Sequence, residues 1–310
     1  MEVAGLQGVM AGRMTRQEPL APHTTLRVGG PAAVFAEPAA EADVIAALAW
    51  AREAGLPWRV IGLGSNLLCP DEGFAGLVLD LRRACATVAW DGSRVTAGAG
   101  AHLAPLIAEA ARRGLSGLEG VAGVPGTVGG GLTMNAGTAA GDFGAVVVSV
   151  RALTPDGAVL EIPAGEMRFA YRWSRIPADG LIALGAVLEL RAADPEEVRR
   201  DLARRAAARR ASQPLELPNA GSIWRNPPGD HAGRLIEAAG GKGLRRGDAE
   251  VSTKHANFIV NRGQARATDV IALMAEVRAA VEAGAGVRLR PELRWLPGQA
   301  DLEARLQAGG

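Results

Sequence analysis

Two glycine-rich stretches offer the first chemistry in this chain. Gly62-Leu63-Gly64-Ser65-Asn66-Leu67-Leu68 leaves a short apolar run, Trp58 to Ile61, with several residues suited to positive φ. Successive backbone N–H groups in such a loop form a concave nest for an anion, typically a pyrophosphate. The second stretch is Gly120-Val121-Ala122-Gly123-Val124-Pro125-Gly126-Thr127-Val128-Gly129-Gly130-Gly131, followed by Met134-Asn135-Ala136-Gly137. Here the missing side chains would let a flat ligand or a phosphate touch backbone. The competing reading is two surface loops. The embedded apolar residues and the stiff Pro125 set both stretches apart from a Gly/Ser linker.

Three further groups stand out less sharply. Arg172 follows Tyr171, the only Tyr of the chain, but Arg is abundant: all but two of the 34 cations are Arg. Ser222 follows Asn219-Ala220-Gly221, where a serine is ordinarily a turn or capping residue. Glu292 alternates with Arg288, Arg290 and Arg294, opposite Val287, Leu289, Leu293 and Trp295, as in an ion-pair ladder on a strand. Pro291 inside that strand points to an edge or a bulge, where side chains are re-aimed.

Other chemistries lack their residues. Gly62-x-Gly64 and Gly98-x-Gly100 open like a dinucleotide fingerprint but carry Leu67 and Leu103 where the third glycine belongs. Gly241-Lys242 is followed by Gly243 instead of the hydroxyl a P-loop needs. His23, His102, His231 and His255 are scattered, so no metal site is expected. No Ser sits in G-x-S-x-G. What is left is chemistry brought by an organic cofactor.

Length and charge narrow the class. The 310 residues make about two domains. A net charge of +1 argues against a nucleic-acid partner or a polybasic membrane patch. No stretch approaches 18 apolar residues, and residues 1–14 carry only Arg13 and no apolar core of a secretory leader. Cys69 and Cys85 form no C-x-x-C and fit a reducing compartment, so a cytoplasmic protein is expected.

The elements that must position these groups can be read from periodicity. Helices are expected over residues 43–54 and 102–113, the latter ended by Gly114, and strands over 58–61, 77–81 and 94–97. Pro155-Asp156-Gly157 should turn a hairpin between 145–153 and 158–162, with another strand over 181–190. Asp194-Pro195-Glu196-Glu197 starts a helix running to Arg209-Arg210, and helices over 230–239 and 268–283 follow, with strands over 258–261 and 287–295. The absence of a βαβ rhythm favours an α+β fold, with a boundary near residue 193.

In order along the chain, these motifs resemble the UDP-N-acetylenolpyruvoylglucosamine reductase family. The likeness spans 22–296. His23-Thr24-Thr25-Leu26-Arg27-Val28-Gly29-Gly30-Pro31 resembles its opening segment, and 62–68 and 123–137 its two FAD-contacting loops. Tyr171-Arg172-Trp173-Ser174, Asn219-Ala220-Gly221-Ser222-Ile223-Trp224-Arg225-Asn226-Pro227 and Arg290-Pro291-Glu292-Leu293-Arg294 resemble its three catalytic segments.

The resemblance implies an FAD domain of the vanillyl-alcohol-oxidase (p-cresol methylhydroxylase) type at 18–192, in lobes 18–80 and 81–192. A substrate domain at 193–297 and a tail at 298–310 would follow. It further implies that Gly62, Gly64, Ser65, Asn66, Leu67, Gly123, Val124, Pro125, Gly126, Thr127, Gly129, Gly130, Asn135 and Ala136 meet FAD. Members with covalent flavin carry a suitable His or Cys; the second loop here ends Gly131-Leu132, which implies non-covalent FAD.

The implied reaction uses NADPH to reduce an enolpyruvyl ether on a UDP-sugar to a lactyl ether, for peptidoglycan precursors. Hydride addition at the β-carbon builds enolate charge that must be stabilised, and a proton must reach the α-carbon. By the resemblance Arg172 grips the carboxylate, Glu292 lies near the enolate and Ser222 donates the proton. Tyr171, Arg225, Asn226, Gln213, Lys254 and His255 would meet the UDP-sugar. Where the family usually shows an aromatic residue after Tyr-Arg-x-Ser, Arg175-Ile176-Pro177 follows; with Tyr171 alone, this chain is expected to be a short form without the Tyr-bearing flap of some members. The alternatives are an FAD-dependent sugar or alcohol oxidase of the same fold, and a flavin-binding regulatory module without turnover.

Overall fold

The structure, a computed structural model, describes Gly8 and residues 10–308. Most of the 1–14 segment, read as lacking a leader's apolar core, therefore lies outside the described residues. Contacts divide the chain into two compact units: Met1–Arg16, Val34–Gly62 and Gly76–Ala208 form one, and Gln17–Ala33, Leu63–Ala75 and Arg209–Gly310 the other.

The first unit holds two sheets. In one, Gly12–Pro19, Pro31–Pro38, Phe74–Asp80 and Trp58–Ile61 lie side by side, the last two parallel with Ile61 opposite Asp80. The Glu41–Glu53 helix buries Val44, Ala47, Leu48 and Ala51, the i, i+3, i+4, i+7 stripe of an amphipathic helix. Asp43 fixes its start by accepting from the backbone N–H of Ala39, Ala40 and Ala11. The other sheet is antiparallel, in the order Val159–Pro163, Val147–Leu153, Ile182–Glu189, Arg94–Gly98, Val88–Asp91. Its first hairpin turns at Gly157 with φ of 97°, as the Pro-Asp-Gly signal requires. The Leu103–Arg112 helix ends at Gly114, whose φ of 67° is the left-handed stop.

The second unit packs a small antiparallel sheet (Arg245–Arg246, Ala249–Val251, Ile259–Asn261) with the Ala232–Ala238 and Ala267–Ala285 helices. Trp224, Val270, Met274 and Leu293 form its core, and Leu26 and Leu68 from the two earlier excursions join them. Asp71 ties one excursion down by accepting from Ala267 N–H, Thr268 N–H and the Thr268 hydroxyl at the start of the long helix.

The units differ from the sequence boundaries in three ways. Residues 17–33 and 63–75 go with the second unit because their apolar side chains enter its core. The division falls at Ala208, inside the Pro195–Ser212 helix, because Leu202 packs on the first core. The tail at 298–310 contains a helix, Gln299–Ala308, which buries Leu302 and Leu306 and whose Asp301 accepts from the Trp295 indole at 2.5 Å; residues 309–310 lie outside the described ones.

The expected 287–295 strand shrinks to Arg294–Trp295, pairing parallel with Leu67–Leu68. Alternation of burial survives through the preceding residues, but Pro291 has no N–H for a ladder and makes only an isolated bridge with Trp224.

Candidate active site

In the first unit the site is built around a helix of glycines. The stretch read as a loop at 120–131 in fact turns helical at Val128–Met134, with Thr127 as N-cap accepting from Gly130 N–H at 3.3 Å. Each helical Gly costs about 1 kcal/mol against Ala, so propensity argues against this helix. Packing outweighs that cost. A Cβ at Gly129 would lie 3.0 Å from the Ala99 Cβ, and one at Gly131 would lie 3.1 Å from Phe143. The helix approaches its neighbours more closely than side chains allow. A Cβ at Gly62 would stand 2.5 Å from the Thr127 Oγ1, which locks the end of the Trp58–Ile61 strand to the cap. The signal for this helix was the Thr cap followed by buried Val128 and Leu132 at i, i+4.

The helix ends at Asn135, left-handed with φ of 41° and 1% exposed. Its Nδ2 donates to the Ala170 carbonyl at 3.1 Å and its Oδ1 accepts from Gly144 N–H at 2.8 Å. This expected cofactor residue thus spends its amide on the protein. Ser174 Oγ adds a bond to the Thr133 carbonyl at 2.9 Å, so the 170–174 segment is seated on the helix end. Ala170 and Trp173 exchange backbone hydrogen bonds around Tyr171 and Arg172. Arg172 is left-handed at φ 54°, a conformation costing a non-Gly residue about 1–2 kcal/mol. Its Nη2 donates to the Gly137 carbonyl at 2.7 Å, and its guanidinium lies 5.0 Å from the Tyr171 ring centre.

In the second unit, Ser65, Asn66 and Leu67 meet the Ser222 and Glu292 segments. Gly64 has φ of 60°, and a Cβ there would lie 2.2 Å from the His23 carbonyl, so the loop rests on the opening segment. Thr25 Oγ1 donates to the Asn219 carbonyl at 2.6 Å. Asn219 in turn folds its own turn, donating to Pro214 and Leu217 and accepting from Gly221 N–H. Glu292 N–H and Leu293 N–H both reach the Ile223 carbonyl, at 2.8 and 3.2 Å, and Arg225 N–H reaches the Arg290 carbonyl at 2.9 Å. The segments carrying Ser222 and Glu292 are therefore joined through the Ile223 carbonyl and the Arg225–Arg290 bond. Among the described residues Ser222 Oγ donates to no partner, so it caps nothing.

Charge gathers at this junction. The half-buried Arg294 guanidinium is shifted below its ordinary value by burial first and by the like charge of Arg225 second, with Glu292 pulling the other way. Gln213 Oε1 and Arg209 Nε, one helical turn apart, are buried with no hydrogen-bond partner among the described residues, and burial lowers the Arg209 value. Such polar atoms ordinarily find a partner.

Three expected substrate residues also make contacts within the protein. Lys254 Nζ donates to the Arg210 carbonyl at 2.7 Å, at the end of the Pro195–Ser212 helix. His255 packs edge-on against Phe258, accepts from Asn257 N–H, and is lowered from the ordinary imidazole value mainly by burial. Asn226 Oδ1 accepts from Ala232 N–H at 3.0 Å and caps that helix. Sequence reasoning missed Asn257, 4% exposed, which exchanges hydrogen bonds with the Trp224 backbone and accepts from Ile223 N–H through its carbonyl. An Asn entering a buried strand was its only signal.

Comparison with known proteins decides the assignment. A family model described as UDP-N-acetylenolpyruvoylglucosamine reductase, C-terminal domain, matches residues 213–296, and one described as FAD binding domain matches 31–163. A UDP-N-acetylenolpyruvoylglucosamine reductase of Symbiobacterium thermophilum is 48% identical over 92% of this chain and 95% of its own. One from Heliobacterium modesticaldum is 45% identical over 96% and 95%. The chain belongs to the UDP-N-acetylenolpyruvoylglucosamine reductase family. The crystal structure of the Thermus caldophilus enzyme superposes with a TM-score of 0.79 at 39% identity, covering 93% of this chain and all of that one.

Membership makes the chain an oxidoreductase of peptidoglycan precursor synthesis, with an FAD-binding domain of the vanillyl-alcohol-oxidase type ahead of the family's C-terminal domain. It also accounts for the missing dinucleotide fingerprint. A berberine bridge enzyme variant shares the fold alone, at a TM-score of 0.50 and 13% identity over 62% of this chain and 43% of its own. No helix among the described residues is long and apolar enough to cross a membrane.

Proposed function

We propose that the chain converts UDP-N-acetylglucosamine enolpyruvate to UDP-N-acetylmuramate, with NADPH as hydride donor and FAD held without a covalent link. The observation that carries this is the Ser222–Glu292 junction, with an unengaged hydroxyl one residue from the carbonyl that receives the Glu292 N–H.

The residues fit a flavin dinucleotide. A Cβ added at Gly130 would come no nearer than 3.7 Å to any atom, and one at Gly221 no nearer than 4.0 Å, so at both places backbone faces open space. Gly62, Gly64, Ser65, Asn66 and Leu67, with 123–127, Gly129, Gly130 and Ala136, would hold the cofactor through backbone and small side chains. FAD, when bound, supplies hydride transfer from the nicotinamide to the β-carbon of the enolpyruvyl group.

The protein's own residues do the rest. Arg172, fixed by Gly137, binds the substrate carboxylate with a group charged at any working pH. Glu292 lies at the developing enolate, and Ser222 Oγ–H gives its proton to the α-carbon. Arg225 and the unpartnered Gln213 Oε1 serve the UDP moiety. Tyr171, 51% exposed, is the chain's sole tyrosine, which supports substrate closure without a Tyr-bearing flap. The two free, buried thiols suit a reducing cytoplasm.

Anaerobic mixing tests the proposal. NADPH should bleach the bound flavin, and the enolpyruvyl sugar should restore its colour faster than air does. A colourless protein would sink this reading and the oxidase alike, whereas reoxidation by air alone with a sugar or alcohol as reductant would replace this reading with the oxidase.

A further inference from the structure

Asn66 reaches the catalytic glutamate from the flavin loop with both of its polar faces. Its side-chain Nδ2 donates to the main-chain carbonyl of Glu292 at 3.2 Å, and its own main-chain carbonyl accepts from Arg294 N–H at 3.0 Å. The next residues along, Leu67 and Leu68, pair parallel with Arg294 and Trp295. On the opposite side, Glu292 N–H is held by Ile223. The peptide before the Glu292 Cα is therefore held by the segment carrying Ser222, and the one after it by that segment through Leu293 N–H and by the loop through Asn66.

We infer that Asn66 is a positioning residue for Glu292, aiming its carboxylate through the main chain while the loop around it holds the cofactor. The role rests on the function proposed above. Pro291 removes one ladder donor just before Glu292, so regular strand pairing does not fix this residue. The Asn66 amide donates to the Glu292 carbonyl from outside that pairing. A catalytic group displaced by about 1 Å can lose about a hundredfold in rate, so one bond among the anchors of Glu292 has kinetic weight. Aspartate at position 66 keeps the size but turns a charged acceptor towards a carbonyl, and alanine simply removes the donor.

The test uses the flavin-loaded protein and rapid mixing. For Asn66→Asp and Asn66→Ala, measured per bound flavin, reoxidation by the enolpyruvyl sugar should slow by about 30-fold or more, and by about tenfold more than bleaching by NADPH does. In a Glu292→Gln background the same changes should slow reoxidation by less than about twofold, since two residues acting through one carboxylate are not additive. A readout independent of turnover is amide hydrogen exchange, which should quicken at Leu293 and Arg294 in both variants. Equal slowing of both half-reactions, multiplicative effects with Glu292→Gln, or unchanged exchange at Leu293 and Arg294 would each overturn the role and leave Asn66 a cofactor ligand alone. A wild-type protein that NADPH cannot bleach would instead overturn the function itself, and this role with it.

Discussion

The N–H of Glu292 donates to the carbonyl of Ile223 at 2.8 Å, so the residue after Ser222 and the residue named as its acidic partner share one backbone hydrogen bond. The bond fixes the main chains of the two segments relative to one another, so only side-chain rotamers are left to set the spacing of hydroxyl and carboxylate.

Removing the proposed proton donor should therefore be a clean experiment. Ser222→Ala is expected to lower the rate of flavin reoxidation by the enolpyruvyl sugar by about 10²–10⁴-fold, the usual weight of a general acid, while NADPH-driven bleaching is retained. Thermal unfolding should hardly move, because the hydroxyl donates to no described partner. Stopped-flow absorbance separates the two half-reactions.

Asn135 should behave in the opposite manner. Asn135→Ala breaks the bonds to Ala170 and Gly144 and puts a Cβ-bearing residue with no compensating side-chain bond at a φ of 41°. A loss of about 2–4 kcal/mol in stability is expected from two buried hydrogen bonds. Substrate KM should rise as well, because the Arg172 segment sits on that amide. Denaturant melts and steady-state kinetics read the two effects.

Gly62→Ala places a methyl 2.5 Å from the Thr127 hydroxyl, at the cap of the glycine helix. The variant should purify with reduced flavin content, measured by visible absorbance. Gly62→Ala combined with Thr127→Ser should not restore it, since the clashing Oγ remains.

The thiols give a pH prediction. Burial pushes Cys69 up to about 12 and Cys85 up to about 11, from an ordinary value of 9.0. A raised thiol value means the neutral form is the folded one, so its contribution to stability is complete below pH 9 and is lost as pH rises from 9 towards 12. Native protein at pH 8 should alkylate slowly and release two reactive thiols only on denaturation, as counted by a thiol reagent.

Much of this architecture is legible in the residues. The 43–54 helix carries its apolar stripe openly, the Pro155-Asp156-Gly157 turn announces its hairpin, and Gly114 stops its helix where expected. The Val128–Met134 helix is hidden because its glycines answer to close approach, at Ala99 and Phe143, and not to propensity. The short range of the Arg294–Trp295 strand follows from Pro291, whose missing donor is plain in the sequence while its effect on the pairing is not. Lys254, His255 and Asn226 match the family by sequence order, yet which polar group a side chain satisfies is decided by its packing partners. The migration of residues 17–33 and 63–75 into the second unit leaves no local trace, for it is written only in the distant leucines and tryptophan they join.

Those two excursions bear on how the gene could be divided. A fragment starting at residue 209 would lack Leu26, Val28 and Leu68, three buried apolar members of the core that includes Trp224 and Leu293. Expressed alone, it would leave raw hydrophobic surface and invite precipitation; supplied with peptides spanning 17–33 and 63–75, it becomes a candidate for complementation in trans.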